Sequence, residues 1–218
     1  MANKTSQVRA QPAEIIREYG PFADAEKING VTFDGELCWA AVGTHLQAFD
    51  PETGSAVRRL PCAADAGTAF DGKHFFQLTA DRIHKIDAKS GEIVGDIPAP
   101  GKGGDSGMAW AEGSLWVGHY RERRIHQVDP ETGKVLRSIE SDSFVTGVSW
   151  VEGELWHATW EGDDSELRRI DASTGELLER LEMPTGVGVS GLESDGRDTF
   201  FCGGGTSGKV RAVRRPKR

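Results

Sequence analysis

Two histidines in this 218-residue chain stand beside aromatic and charged neighbours in a way that suits acid–base work. His119 is followed by Tyr120, Arg121 and Glu122, and His157 is followed closely by Trp160 and Glu161. Histidine changes protonation state near neutral pH, so His119 or His157 is a candidate general base, with Glu161 or Glu122 as the carboxylate that orients it. Trp160 and Tyr120 would wall a small ligand and Arg121 would offer it a charge. The spacing fixes none of these roles, and a satisfied or surface histidine is the plainer reading of each ring taken alone. His84 and His126 recur at matching positions and read as structural.

Other chemistries find less support. Asp163 and Asp164 with Glu161, or Asp24 with Glu26, lack the spacing of a calcium loop, and there is no HExxH, so no metal site is expected. No GxSxG marks a nucleophile. The glycine-rich runs Gly101–Gly104 and Gly203–Gly208 lead into no helix, so they lack the amide cradle of a phosphate loop, and no cofactor is indicated. Cys38, Cys62 and Cys202 have no CxxC spacing and are read as reduced thiols. A net charge of −8 argues against nucleic acid as a partner. The one basic cluster, Lys209, Arg211, Arg214, Arg215, Lys217 and Arg218, reads as a solvated tail. With no secretory h-region and no run of about 18 apolar residues, the expectation is a soluble, cytoplasmic monomer with no membrane partner.

The elements that must position these residues are repeats. GVSWVEGELWHATW…LRRIDASTGELLERL, from Gly147, recurs from Gly107, Gly67 and Gly30, and a shorter copy starts at Gly191. A period of roughly 40 residues is the length of a four-stranded propeller blade. Each unit holds a Gly-led strand, an aromatic strand carrying Trp39, Trp116 or Trp156 as blade packing, an alternating strand that stops at Asp, and a DPETG-type turn into a mixed outer strand. The expected fold is all-β: a five-bladed propeller of four-stranded antiparallel blades over residues 30–61, 67–98, 107–139, 147–182 and 191–215. The last unit lacks an outer strand, and residues 13–19, AEIIREY, match the outer-strand pattern and are expected to complete it and close the ring.

On that scaffold the inter-blade loops and the second-to-third-strand loops share one face. The residues leading into the inner strands, Asn29, Ala66, Ser106, Thr146 and Ser190, form a small polar ring suited to water, an ion or a small ligand, although close packing of five inner strands also demands small residues there. The second-to-third-strand loops of blades 3 and 4 read as enlarged, and they pool the two histidines, Tyr120 and Trp160.

The unit G-x-x-[FW]-x-G-x-L-W…[IV]-D-x-x-T-G-x-[VL] resembles the five-bladed propellers of the glutamine cyclotransferase (plant-type glutaminyl cyclase) group and, more loosely, virginiamycin B lyase-like propellers. The resemblance covers nearly the whole chain and is closest in blade 4. It implies the same scaffold with a ligand site at the channel mouth, where Trp160 is the matching residue. In the cyclase group a Glu follows the first blade's aromatic residue, where Ala40 follows Trp39 here. Ala158 or Thr159 takes the place of an Asn, and Gly203–Gly205 the place of a segment bearing a Lys. Two readings follow: a small-molecule site in a cyclotransferase-like or lyase-like enzyme, and a non-catalytic propeller that binds a protein or peptide.

Overall fold

The computed structural model describes Val8 and residues 10–217, and every regular element of two or more residues among them is a strand. Blade 1 runs Gly30–Phe33, Cys38–Ala41, Gly43–Phe49 and Ala56–Ala64, and blade 2 runs Thr68–Phe70, His74–Leu78, Arg82–Asp87 and Ile93–Pro98. Blade 3 runs Asp105–Ala111, Ser114–His119, Arg124–Val128 and Val135–Glu140, and blade 4 runs Gly147–Val151, Glu154–Glu161, Asp164–Ile170 and Leu177–Glu182. In blade 5, Gly191–Ser194, Thr199–Gly203 and Val210–Arg214 are completed by Ile15–Tyr19, which pairs antiparallel with Tyr19 opposite Val210. The fold is the five-bladed propeller, sealed by its N-terminal strand.

The recurring glycines explain how closely the blades approach the axis. A Cβ on Gly107 would lie 2.4 Å from Gly147 Cα, one on Gly191 2.7 Å from Gly30 Cα, and one on Gly67 2.6 Å from Ser106 O. Gly30 and Gly147 are equally confined by the following blade. Backbone meets backbone around this collar, so no side chain is tolerated there.

Further out, each seam holds an aromatic pair linking one blade to the next. Trp39 meets Phe75 (ring centroids 4.7 Å apart), Phe76 stacks on Trp110 (5.5 Å), Trp116 on Trp150 (4.9 Å), Trp156 meets Phe200 (4.9 Å) and Phe201 meets Phe33 (5.7 Å). Among the described residues the core divides into five buried clusters, one at each seam. At the outer hairpins the Asp of DPETG folds its own turn. Asp50 Oδ1 accepts the Glu52 and Thr53 amides while Gly54, at φ +80°, donates to Asp50 O.

Four features differ from the sequence reading. The expected enlarged loop of blade 4 is a tight hairpin, because Glu154–Glu161 and Asp164–Ile170 stay paired as far as Glu161 opposite Asp164. Most of the basic C-terminal cluster is no solvated tail, Lys217 alone among its described members being exposed without an ion pair. Lys209 and Arg211 bind Glu18, Arg214 binds Glu14, and Arg215, 3 % exposed, reaches Glu152 and Glu154 of blade 4. Of that cluster Arg218 lies outside the described residues. Glu14 and Glu18 of the closing segment thus pair with the basic residues in and beside the third strand of blade 5. Third, the closing strand starts at Ile15 rather than residue 13. Fourth, Ala10–Pro12 adds a parallel fifth strand to blade 4, continued by the Ala13 N–H on Glu182 O at 2.8 Å. On blades 2 and 3 the next blade's turn glycine covers the matching carbonyl: a Cβ on Gly175 would lie 2.5 Å from Glu140 O, and one on Gly133 2.9 Å from Pro98 O. Blade 5 has no such turn, and the N-terminal segment fills its place.

Candidate functional site

Trp160 ends the second strand of blade 4 on the face carrying the inter-blade loops, and its indole lies across blade 5. A Cβ on Gly188 would sit 2.3 Å from Trp160 Cε2, and one on Gly205 2.6 Å from Cζ3, so these two glycines make the indole's bed. Its Nε1 donates to Gly162 O at 3.0 Å. From blade 3, the Tyr120 hydroxyl donates to Trp160 O (3.4 Å), and its ring stacks on Phe144 (4.7 Å) beneath the Arg123 guanidinium, 4.6 Å from the Phe144 ring. Tyr120, Thr146, Trp160 and Gly162 line an open cleft of about 380 Å³. The structure therefore brings Tyr120, Thr146 and Trp160 together.

It does not bring the histidines to them. His157 is fully buried, with Nδ1 on Ala158 O (3.3 Å) and Nε2 against Ser141 Oγ (3.2 Å). Burial pulls its pKa down to about 4, so it is a neutral structural ring. His119 is 7 % exposed; its Nδ1 accepts the Glu122 N–H (3.1 Å), which places its proton on Nε2, packed beneath Gly104. Glu122 thus serves His119 through its backbone, while its carboxylate lies 3.8 Å from Arg124. Glu161, the last residue of its strand, and Arg121, in the turn after His119, are exposed, and each follows a cleft residue in sequence.

The polar ring around the axis stitches seams. Asn29 Nδ2 donates to Ala64 O (3.2 Å), Ser106 Oγ to Val145 O (2.6 Å), Thr146 Oγ1 to Val189 O (2.6 Å) and Ser190 Oγ to Ile28 O (2.5 Å). Ala66 has no such group, and there Gly67 N–H reaches Ser106 O (2.6 Å). These hydroxyls and one N–H of the amide hold neighbouring blades together.

Sequence reasoning overlooked Phe144, Gly188, Gly205 and Glu193. The last sits two residues past its collar glycine, at the position held elsewhere by Thr32, Ala69, Ala109 and Ser149, so alternation aims it at the axis. Glu193 accepts from Ser149 Oγ (3.0 Å), Thr32 Oγ1 (3.2 Å) and the Ser194 amide (2.8 Å). Enclosure between blades pushes its pKa up to about 7 against those donors. A lone acid among small residues at one repeat position was the available signal. Among the described residues no group of three or more His, Cys, Asp or Glu is arranged to hold a metal.

The profile of the family described as outer membrane protein assembly factor BamB matches residues 82–216. The chain belongs to that family. No curated protein matches it. Among solved structures, glutaminyl cyclase from Myxococcus xanthus superposes with a TM-score of 0.77 at 17 % identity, covering 94 % of this chain and 97 % of the enzyme. The β-propeller domain of Cps50 (Swd1) from Myceliophteria thermophila gives 0.59 at 9 % identity, with 94 % and 100 % covered. The WD40 repeats of RRP9 give 0.60 at 10 % identity, with 95 % and 99 % covered. At these identities the likeness is one of fold, and it bears out the scaffold that the cyclase resemblance implied for this BamB-family chain.

Proposed function

We propose that the chain is a non-catalytic binding propeller that holds a polypeptide on its loop face, anchored in the Tyr120–Trp160 cleft. The observation that carries this reading is the orientation of the histidines: an aromatic cleft is open while both candidate bases are turned inside, His157 at 0 % exposure. An indole and a phenol bedded on a rigid scaffold, with Arg121 and Glu161 exposed at the edge, suit a partner side chain and its flanking backbone. Membership of a family described as an assembly factor supports a protein as the partner. The test is selection of displayed peptides on the wild-type chain and on Trp160→Ala in parallel. Peptides enriched on the former and lost on the latter are expected; equal enrichment on both would remove the cleft from the reading.

The fold likeness to the Myxococcus cyclase favours a second reading, a small-molecule enzyme using the same mouth. Incubation with peptides bearing N-terminal glutamine, read by ammonia release, separates the two. Turnover abolished by Trp160→Ala would replace the binding reading with this one.

A further inference from the structure

At three of the five seams the outer strand of one blade sends an arginine across to the Asp turn of the next. Arg58 Nη2 donates to Lys89 O (2.6 Å), Arg137 Nη1 to Ala172 O (2.6 Å), and Arg17 Nη1 to Pro51 O (3.3 Å) and Glu52 O. Each guanidinium also lies over an aromatic ring of its own blade: Arg58 over Trp39 (5.7 Å), Arg137 over Trp116 (5.0 Å) and Arg17 over Tyr19 (5.2 Å). The arginines hold one register position, opposite Ala48, Gln127 and Ala212 of the neighbouring strand. In blade 4 that position is Glu179, paired with Arg169 at 3.3 Å, and blade 5 offers no Asp turn to cap.

Blade 2 breaks the pattern. Gly95, opposite Lys85, stands where the arginine would be, although blade 3 presents its Asp turn as the others do. What remains is a slot of about 270 Å³ lined by Phe76, Lys85, Gly95, Asp96, Pro130 and Glu131 among others. Among the described residues no side chain caps the Pro130 or Glu131 carbonyl, the counterparts of the carbonyls capped at the three other seams. The volume falls below the ~300 Å³ at which small-molecule pockets begin, which points to a single side chain as occupant.

We propose that this slot binds an arginine side chain of a partner polypeptide, its guanidinium over Phe76 and its N–H groups on the blade 3 turn carbonyls. The chain itself displays that bound geometry three times. Lys85, now 5.7 Å from the Phe76 ring and 3.1 Å from Glu131 Oε1, is a quarter exposed and turns outward as the guanidinium enters. Asp96 and Glu131 already face Arg82 and Lys85, so the slot is close to neutral. Recognition therefore rests on the ring and the planar fork of donors rather than on net charge, which favours arginine over lysine. This inference deepens the protein-binding reading by adding a rim anchor, yet its test does not depend on the loop face.

The probe is N-acetyl-arginine amide, titrated into the isotope-labelled chain and followed through amide and aromatic resonances. Saturable shifts centred on Gly95, Asp96 and Phe76 are expected, with N-acetyl-lysine amide binding about tenfold more weakly, the difference of one or two hydrogen bonds. Gly95→Arg should abolish the shifts by filling the slot from within; a Cβ at Gly95 meets only Lys85 Cβ, at an ordinary 3.9 Å, so the side chain has room. Gly95→Met fills it without charge and should do the same, which guards against a folding defect in the first variant. Shifts that persist in both variants, spread evenly over all seams, or fail to saturate would overturn the proposal. Loss of loop-face peptides in Trp160→Ala without arginine binding would sink the slot alone and leave the cleft standing.

Discussion

Glu193 and His157 titrate in the same pH window with opposite consequences, and replacing one should unmask the other. Glu193 has its pKa raised from 4.5 to about 7 by enclosure. It is protonated in both states below about pH 4.5, and its stabilising contribution is lost as the pH climbs through 7. His157 has its pKa lowered from 6.5 to about 4. Its contribution is present above about pH 6.5 and is lost as the pH falls towards 4. Each displacement bounds its contribution at roughly 3 kcal/mol, using ~1.4 kcal/mol per pH unit. Glu193 is only partly buried, which discounts its share to about 1.5–3 kcal/mol. Between about pH 4.5 and 6.5 these two slopes oppose each other, while burial also lowers the pKa values of His45 and His126 and adds the same background to wild type and variant. Glu193→Gln keeps the size of the side chain, and its amide can still meet Thr32, Ser149 and the Ser194 N–H. Its unfolding free energy should rise with pH across that window and exceed the wild type at about pH 8 by the same 1.5–3 kcal/mol, or roughly 3–10 °C in Tm for a chain of this size. Urea denaturation at several pH values checks both statements. A Glu193→Gln profile parallel to the wild type would refute the claim that an enclosed axial acid sits at the centre of the ring.

Gly107→Ala places a methyl 2.4 Å from Gly147 Cα and should cost about 2–4 kcal/mol in denaturant melts, while Gly153→Ala, in an open turn of positive φ, should cost only about 1 kcal/mol. Glu18→Lys sets a cation against Lys209 and Arg211 at the ring closure; a loss of about 1 kcal/mol that shrinks with added salt is expected from melts at two ionic strengths. Gly205→Ala should unseat the Trp160 indole, changing tryptophan emission and abolishing peptide capture, and its positive φ of +52° should add a loss of at least about 1 kcal/mol in denaturant melts.

Much of this architecture was legible because a propeller writes the same physical demands five times. Collar glycines, a large aromatic on the second strand and an Asp that folds its own turn recur at fixed offsets, and each offset maps onto one contact. The candidate site was legible only in part. Trp160 and Tyr120 share one cleft, since one stands next to the end of its strand and the other just past the end of its own. His157 was misplaced because a paired strand was taken for a loop: extending the hairpin to Glu161 turns His157 inward opposite Val148 and Arg168, where Trp160 emerges. Gly188 carries no pattern of its own and is explained by the indole lying on it, while Gly205 answers both to that indole and to a φ of +52°. Nor did the terminal basic run reveal its partners, because Glu14 and Glu18 lie almost two hundred residues away in sequence.

Repetition also gives the departures their weight. When three seams carry an arginine and a fourth carries Gly95, the substitution is measured against copies folded by the same chain, with no relative required. The same comparison treats Glu193 as one acid among Thr32, Ala69, Ala109 and Ser149, and Ala10–Pro12 as the stand-in for a turn that blade 5 lacks. Sites where the repeat is kept are explained by packing. Three departures, the Gly95 slot, the axial acid and the bed beneath Trp160, leave a cavity, a perturbed acid or a half-buried ring at a cleft, and those are the positions at which substitutions should separate binding from folding.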